Sequence, residues 1–341
     1  MFKYLYKYLV YKQLKQKNML KIFKRILKPP NLVIYKAFSY LHLPPNLRQS
    51  IPFTNKLQCM LELQPVERRT GLTPEEFAKE YLNPMKPVIF TDLTASWPAR
   101  DKWTIEHFKN KYGQLRVPVV SNNYSKPGKG YMEPDRVISF KEYLEILESG
   151  PNDLRIFLWN IFKVAPELRQ DFTIPTIMDG FVDELPFMFF GGEGSKVALH
   201  FDIDMSHVFL NQVHGRKRVL LFAPDQSRNL YRHPFTVASY VDLNNPDYEK
   251  YPALAKAKGF EVMLEPGESL FMPSGFWHYI EYTDGGYSIS LRSFGSVPAR
   301  LRGIANIATH YVVDKGMNRL IGPSWRKMKE RMAERRAETT T

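Results

Sequence analysis

The chain has 341 residues, of which 44% are hydrophobic and 14% aromatic. This composition excludes an intrinsically disordered protein and predicts a globular domain with a sizeable core. The sequence contains 25 prolines, which favours a loop-rich β architecture over a helix bundle. Its formal net charge is +13. Cys59 is the single cysteine of the sequence, which excludes an intramolecular disulfide and a thiolate metal cluster. A protein without disulfides is typical of a reducing compartment, so we expect this protein to be cytoplasmic.

The positive charge is concentrated at the N-terminus. Residues 1–61 contain 12 Lys and Arg and no acid, whereas the rest of the chain holds 36 basic and 35 acidic residues and is nearly neutral. Apolar residues recur at helical spacing, for example Leu5 with Leu9 and Ile22 with Ile26, which predicts an amphipathic helix with a basic face. Pro29 and Pro30 are expected to end it.

Two interpretations of this basic helix remain open. It lies on an anionic membrane surface, so that the protein is peripheral to a membrane, or it packs on its own domain with a solvated basic face. Binding to nucleic acid is disfavoured because no readout motif accompanies the charge. No apolar run approaches the ~20 residues that a membrane-spanning helix needs. Met19 is an alternative start of translation.

Helices and strands alternate over the first half of the remaining chain. Thr73 is a predicted N-cap, because it precedes Pro74 and a helical pattern. A buried strand is predicted at KPVIFTDL, a helix in WPARDKWTIEHFKNKYG, a helix in ISFKEYLEILESG that ends at glycine, and a strand in DLRIFLWNIF.

From Leu185 to Phe294, short apolar strands alternate with Gly, Pro and Asp turns, which predicts a β-barrel or sandwich. Gly191 to Gly194 is interpreted as a turn between two of these strands. The tail, from about residue 299 to 338, is predicted to be helical, and its charged run WRKMKERMAERRAE is expected to be a solvated helix face. The predicted strands are PFMFFGG, KVALHFDID, VFLNQV, KRVLLFAP, FEVMLEPGE, SLFMPSG, FWHYIEY and YSISLRSF.

One strand carries a histidine and an aspartate two residues apart. His200 and Asp202 project from the same face if the strand is extended. Together with a distant histidine they form a 2-His-1-carboxylate set, the ligand pattern of non-haem iron(II) oxygenases. His278, which follows the turn Pro273-Ser274-Gly275, opens a strand that can lie opposite them. A chance His-x-Asp pair and a core histidine remain the alternatives at this point.

Longer motifs resolve the ambiguity, because the chain resembles the JmjC-type, cupin-fold oxygenases that use iron(II) and 2-oxoglutarate. It is most similar to the branch that contains asparaginyl and other small protein hydroxylases. The resemblance covers residues 62–295 and implies a mainly β fold with flanking helices, a double-stranded β-helix (cupin or jelly-roll) barrel. The motifs that carry it are KPVIFTDL, WPARDKW and FLWN in the first half, then LHFDID (199–204), GRKRVLLFAP (215–224), VDLNNPDYEKYP (241–252) and PGESLFMPSGFWH (266–278).

The resemblance also implies a domain organisation. Residues 1–61 are a basic, partly helical segment, 62–298 an oxygenase domain and 299–341 a helical tail. Related hydroxylases carry C-terminal helices that dimerise, so the tail suggests a homodimer.

Carried over position by position, the resemblance makes His200, Asp202 and His278 the iron ligands. It makes Lys217 the cation that pairs with the distal carboxylate of 2-oxoglutarate, since a buried dianion needs a fixed positive partner. Arg216 and Arg218 flank Lys217 and would point the opposite way in an extended chain.

Three features depart from the family pattern. Val197 stands where many relatives have a threonine whose hydroxyl contacts the cosubstrate. The spacing from His200 to Lys217 is two residues longer than in the asparaginyl hydroxylase. Arg292 replaces an asparagine near the cosubstrate, and it either grips the cosubstrate carboxylate as a second cation or faces out of the barrel.

The implied activity is hydroxylation of a protein side chain or a small molecule, with release of succinate and CO2. The alternative is a non-catalytic cupin that binds or scaffolds, associated with a membrane surface. A histone demethylase is disfavoured because no chromatin-reading module accompanies the domain and its body is not basic. Substrate specificity would come from the loops over the barrel mouth. The sequence of these loops does not identify the substrate.

Overall fold

Two β-sheets form the frame of the molecule. The computed structural model describes residues 61–125, 133–183 and 186–338. A five-stranded sheet has the order β1-β11-β10-β13-β8 and a seven-stranded sheet the order β2-β3-β12-β9-β14-β7-β6. A small hairpin, β4-β5, completes the strands. The bounds are β1 Glu62–Pro65, β2 Arg68–Arg69, β3 Val88–Phe90, β4 Arg116–Val119, β5 Arg136–Ser139, β6 Arg155–Trp159, β7 Phe187–Gly191, β8 Lys196–His200, β9 His207–His214, β10 Lys217–Phe222, β11 Lys258–Leu264, β12 Ser269–Met272, β13 Trp277–Tyr282 and β14 Gly286–Ser293.

The helices precede and follow the strand-rich region. Thr73 is the N-cap, as its position before Pro74 predicts, and it also forms a full capping box with Glu76. The helix continues as a π-helical turn over Ala78–Leu82. Short 3-10 turns connect several strands, and a second π-helical turn, Thr309–Asp314, joins two helices of the tail. The α-helices are α1 Pro74–Phe77, α2 Ala99–Lys102, α3 Ile105–Tyr112, α4 Phe140–Glu148, α5 Val297–Ala308, α6 Lys315–Ile321 and α7 Pro323–Glu338.

Three apolar clusters explain why the sheets are buried on both faces. One lies between the two sheets, where Val219 and Ile280 of the smaller sheet meet Val208 and Leu270 of the larger. A second covers the outer face of the larger sheet with the N-terminal helices. The third covers the outer face of the smaller sheet. The alternation of strand side chains between two apolar layers produces a jelly-roll sandwich.

The tail differs from its prediction. The charged run of α7 is not a solvated helix throughout, because Trp325, Lys329, Ala333 and Ala337 are buried at four-residue spacing. Ala333 and Ala337 belong to the cluster on the outer face of the smaller sheet. Small side chains at these positions let the helix approach that sheet closely, so one stripe of a highly charged helix is structural.

Several predictions fall outside the described residues. They are the basic N-terminal helix with its membrane or intramolecular contact, the alternative start at Met19 and the stop at Pro29 and Pro30. The domain boundaries at residues 61/62 and 298/299 stay predictions. Among the described residues, no helix is both long and apolar enough to cross a membrane.

Candidate metal centre

The candidate centre begins with two histidines on neighbouring strands. β8 and β13 pair antiparallel, and His200 lies opposite His278 in their register. The two imidazole rings are 4.2 Å apart between centroids. One ligand atom of each of His200, Asp202 and His278 lies within 4.8 Å of the other two. The pairing of two strands that are far apart in sequence therefore brings the three predicted residues together.

Asp202 lies beyond the strand rather than on it. The strand predicted over residues 196–204 ends at His200, because the chain then turns, with the Met205 amide donating to the Asp202 carbonyl oxygen at 3.1 Å. Met205 has a φ of 56°, a left-handed conformation that a continuous strand cannot contain. Asp202 still shares the site with the histidines, but the turn, and not strand periodicity, directs it there.

Backbone carbonyls orient both imidazoles. His200 Nδ1 lies 2.8 Å from the Ala198 carbonyl oxygen, and His278 Nδ1 lies 3.2 Å from that of Phe276. A carbonyl oxygen can only accept, so each Nδ1 carries the proton and each Nε2 keeps its lone pair. Burial, reinforced by the nearby His278, lowers the pKa of His200 to about 3, and burial also lowers the pKa of His278. Both rings are neutral near pH 7 and present an unprotonated nitrogen.

Arg292 lies between two carboxylates beside the histidines. Its Nη2 donates to Asp202 Oδ1 at 3.1 Å, and its Nη1 donates to both oxygens of Asp204 at 3.2 Å and to Ser206 Oγ at 2.9 Å. Burial raises the pKa of Asp202, but the positive charge of Arg292 and its hydrogen bond outweigh it, so the net shift is downward. Asp202 is therefore ionised, and Oδ1 is occupied while Oδ2 accepts no hydrogen bond from the described residues.

Lys217 lies on the same inner face, four residues along the strands. It is only 1% exposed, whereas Arg216 and Arg218 pair with Asp284 and Glu261 at the surface. The predicted inward direction of Lys217 is thereby confirmed. Its Nζ donates to Ser288 Oγ at 2.5 Å and lies 4.4 Å from the centre of the Tyr282 ring. Burial lowers the pKa of Lys217 well below its usual range.

A row of polar side chains on β14 extends from Lys217 to the cluster of His200, Asp202 and His278. Ser288, Ser290 and Arg292 alternate with Ile289 and Leu291, which face the outer core. Ser290 is 1% exposed, and its Oγ has no hydrogen-bond partner among the described residues. Buried hydroxyls are normally paired, so an orphaned one between a lysine and a histidine-carboxylate cluster fits a bound polar ligand.

Sequence reasoning placed the main residues but missed their partners. Asp204, Ser206, Ser288 and Ser290 have no motif of their own. Among these four residues, only the position of Asp204 indicated a role in the site, because it lies two residues after Asp202 in the motif LHFDID. The position of Val197 is as the sequence implied: it is opposite Ile280 in the register between β8 and β13 and contributes no hydrogen-bonding side chain.

With this geometry established, comparison with known proteins assigns the family. The family model described as a cupin-like domain matches residues 74–294, more than half of the chain. The chain belongs to the cupin-like, JmjC-type family of iron(II)- and 2-oxoglutarate-dependent oxygenases. The predicted resemblance and the jelly-roll fold are thereby confirmed.

Several curated JmjC relatives are similar over most of this domain. Lysine-specific demethylase 8 of Danio rerio is 28% identical over 71% of this chain and 63% of its own length. Lysine-specific demethylase JMJ30 of Arabidopsis thaliana is 32% identical over 66% of this chain and 54% of its own. The tRNA wybutosine-synthesizing protein 5 of Gallus gallus is 28% identical over 65% of this chain and 74% of its own length. The chain thus spans between half and two thirds of the length of the demethylases named first.

The JmjC family uses iron(II) and 2-oxoglutarate, and the residues present fit both groups. Two neutral imidazoles and one carboxylate form the donor set that suits iron(II) with open coordination positions. The guanidinium of Arg292 leaves one oxygen of Asp202 available. The buried amino group of Lys217, which has no carboxylate partner within the described part of the chain, suits a carboxylate. The orphaned hydroxyl of Ser290 lies between the two.

Proposed function

We propose that this chain is a 2-oxoglutarate-dependent hydroxylase that acts on a C–H bond of a protein side chain or a small molecule. The observation that carries the proposal is the row from His278 to Lys217 along one inner face. It combines a facial donor set, an orphaned hydroxyl and a buried cation without a carboxylate partner among the described residues. When bound, iron(II) and 2-oxoglutarate supply the activation of dioxygen, with release of succinate and CO2.

In this proposal His200, Asp202 and His278 hold the metal, and the backbone carbonyls of Ala198 and Phe276 keep both imidazoles in the ligating tautomer. Lys217 binds the distal carboxylate of the cosubstrate, assisted by the Ser288 hydroxyl. The apolar side chains between the sheets, including Val219 and Ile280, exclude water and strengthen this charge pair.

Arg292 has a different role from the one first considered. Its guanidinium is occupied by Asp202, Asp204 and Ser206, which supports a function in orienting Asp202 rather than in gripping the cosubstrate carboxylate. This contact occupies Oδ1 of Asp202, so Oδ2 is the atom that would hold a metal.

The names of the relatives do not decide between substrates. Two are demethylases and one synthesises wybutosine in tRNA. Oxidative removal of an N-methyl group begins with hydroxylation of the methyl carbon, so C–H hydroxylation is compatible with both demethylation and direct hydroxylation. A non-catalytic cupin is disfavoured, because the donor set and Lys217 are all present.

An anaerobic titration with iron(II) and then 2-oxoglutarate tests the proposal without knowledge of the substrate. We expect the visible metal-to-ligand charge-transfer band of a chelated keto acid. The band should vanish in His200→Ala and require at least tenfold more 2-oxoglutarate in Lys217→Ala, since a buried charge pair contributes more than about 1.4 kcal/mol. Arg216→Ala, the surface neighbour, should titrate like the wild type. Folded protein without a band in the presence of iron(II) would refute the assignment.

A further inference from the structure

Two clefts meet at a pair of arginines on the side of the smaller sheet that faces α7. Their volumes are about 310 Å³ and 280 Å³, and Arg232 and Arg336 line both. Arg228 and Ala333 line the first. Ala333 belongs to the cluster that covers the outer face of the smaller sheet, so the clefts lie between the 224–237 loop and the C-terminal helix.

The loop holds Arg232 in a defined position. Its Nε donates to the Thr236 carbonyl oxygen at 3.2 Å, and its guanidinium carbon lies 4.9 Å from the centre of the Phe201 ring. Tyr231 and Phe235, on either side, have φ values of 52° and 63°. Non-glycine residues rarely adopt this left-handed conformation, and it persists only where surrounding packing imposes it. Arg232 is therefore a positioned side chain and not a mobile surface cation.

The rest of the guanidinium faces the clefts. Neither Nη1 nor Nη2 of Arg232 donates a hydrogen bond to the described residues, and both atoms remain accessible. Burial, and then the positive charge of Arg336, lower the pKa of Arg232. Glu334 and Glu338 of α7 are close enough to affect Tyr231, but neither forms an ion pair with Arg232. The half-buried guanidinium of Arg232 is thus held in the cleft, and the exposed side chain of Arg336 lies close enough to lower its pKa.

We propose that Arg232 and Arg336, with Arg228 at the rim, bind the phosphate group of a small phosphorylated ligand. A guanidinium donates two parallel hydrogen bonds to a phosphate, and the positive charges of Arg232 and Arg336 attract a dianion. The clefts are open to solvent and large enough to admit the remainder of such a ligand.

The proposed site is separate from the metal centre. Phe201, on which Arg232 stacks, lies between His200 and Asp202 in sequence, but its ring packs against Trp277 in the outer cluster. A phosphate bound there would lie on the opposite side of the strand from the histidines. The inference does not depend on the proposed hydroxylase activity.

Titration calorimetry of the full chain tests the site, with inorganic phosphate and phenyl phosphate as probes and ionic strength held constant with potassium chloride. We expect saturable binding of both, with tighter binding of phenyl phosphate, whose ring can enter the clefts. Equal or weaker binding of phenyl phosphate would contradict a phosphorylated organic ligand. Loss of one charge-assisted pair in Arg336→Met should weaken binding about tenfold. Arg335→Met, the exposed neighbour on α7, should bind like the wild type.

Two further variants keep the result decisive. Arg232→Lys retains the charge but loses the planar fork, and it should also weaken phosphate binding. His200→Ala should leave phosphate affinity unchanged, so that failure of the metal centre and failure of this site are distinguishable. Absence of saturable binding, or equal weakening in Arg335→Met and Arg336→Met, would overturn the proposal.

Discussion

At the residue scale, the balance of charge beside the histidines is set by three side chains. Arg292 contributes one positive charge between the carboxylates of Asp202 and Asp204. The group therefore carries one net negative charge in front of two neutral imidazoles. Without Asp204, the guanidinium would neutralise the ligand carboxylate and oppose a divalent cation, so Asp204 matters although it is not a proposed ligand.

Asp204→Asn is predicted to weaken metal binding by at least tenfold, or about 1.4 kcal/mol, because removal of one negative charge several ångströms from a divalent ion costs several kcal/mol at an effective dielectric constant of about 20. Calorimetric titration with cobalt(II), which replaces iron(II) without oxidation, measures this affinity. Asp225→Asn, an exposed acid on the neighbouring loop, is the matched control. Equal affinities in Asp204→Asn and the wild type would contradict the charge-balance argument.

Buried imidazoles outside the metal centre predict a pH-dependent stability. Burial lowers the pKa of His207 to about 4, and burial together with Lys329 and Arg326 lowers that of His233 to about 3. In the unfolded chain both histidines take up a proton near pH 6.5. Below that pH the folded protein therefore binds fewer protons than the unfolded chain. The contribution of these two neutral histidines to the free energy of unfolding is therefore fully present above about pH 6.5 and is lost as the pH decreases toward about 3.

The free energy of unfolding should therefore decrease between pH 7 and pH 4 when it is measured by urea denaturation with a chelator present. His233→Gln should show a shallower decrease than the wild type, because one of the groups that must take up a proton is gone. Parallel curves for the two proteins between pH 8 and pH 4 would exclude His233 as a contributor.

At the scale of single elements, α7 depends on a buried ion pair. Lys329 Nζ donates to Asp314 Oδ1 at 2.6 Å, and the indole of Trp325 donates to the same oxygen at 2.8 Å. Asp314 and Lys329 are 4% and 2% exposed. The pair joins α7 to the π-helical turn that follows α5, so it fixes the path of the tail over the smaller sheet.

Lys329→Met should destabilise the protein by about 3–5 kcal/mol, because removal of one partner leaves the Asp314 carboxylate buried and unpaired. Lys327→Met, an exposed lysine on the same helix, should change stability by no more than about 0.5 kcal/mol. Chemical denaturation of both variants measures the difference. Similar stabilities would mean that the tail does not pack on the domain in this way.

At the scale of the whole molecule, the C-terminal helices expose large apolar side chains. Leu301 is 61% and Leu320 53% exposed. The predicted homodimer would bury these side chains, because contiguous apolar patches of this kind mark association sites. Light scattering should show a dimer that Leu320→Asp converts to a monomer. Val164→Asp, at a 59% exposed valine far from the tail in sequence, should leave the dimer intact. A monomeric wild type would refute the prediction.

Local patterns predicted most of the elements. The N-cap at Thr73 and the eight late strands follow from period-two or period-3.6 spacing and from turn residues, which act within a few residues of one another. The choice of Lys217 over its two neighbours as the inward residue followed from the family resemblance. The extent of β8 could not be predicted this way, because the turn at Met205 and the pairing of the Phe201 amide with Val237 end the strand.

By itself, the sequence determined the family, through its motifs, and the late strands, through local periodicity. His200, Asp202, His278 and Lys217 stay site residues predicted from the resemblance to that family. Only the tertiary structure decided what surrounds them. The placement of Arg292 between Asp202 and Asp204, the orphaned hydroxyl of Ser290 and the burial of one stripe of α7 all join segments that are distant in the chain. Such contacts arise from the packing of one sheet on another and of α7 on its outer face, which no local pattern encodes.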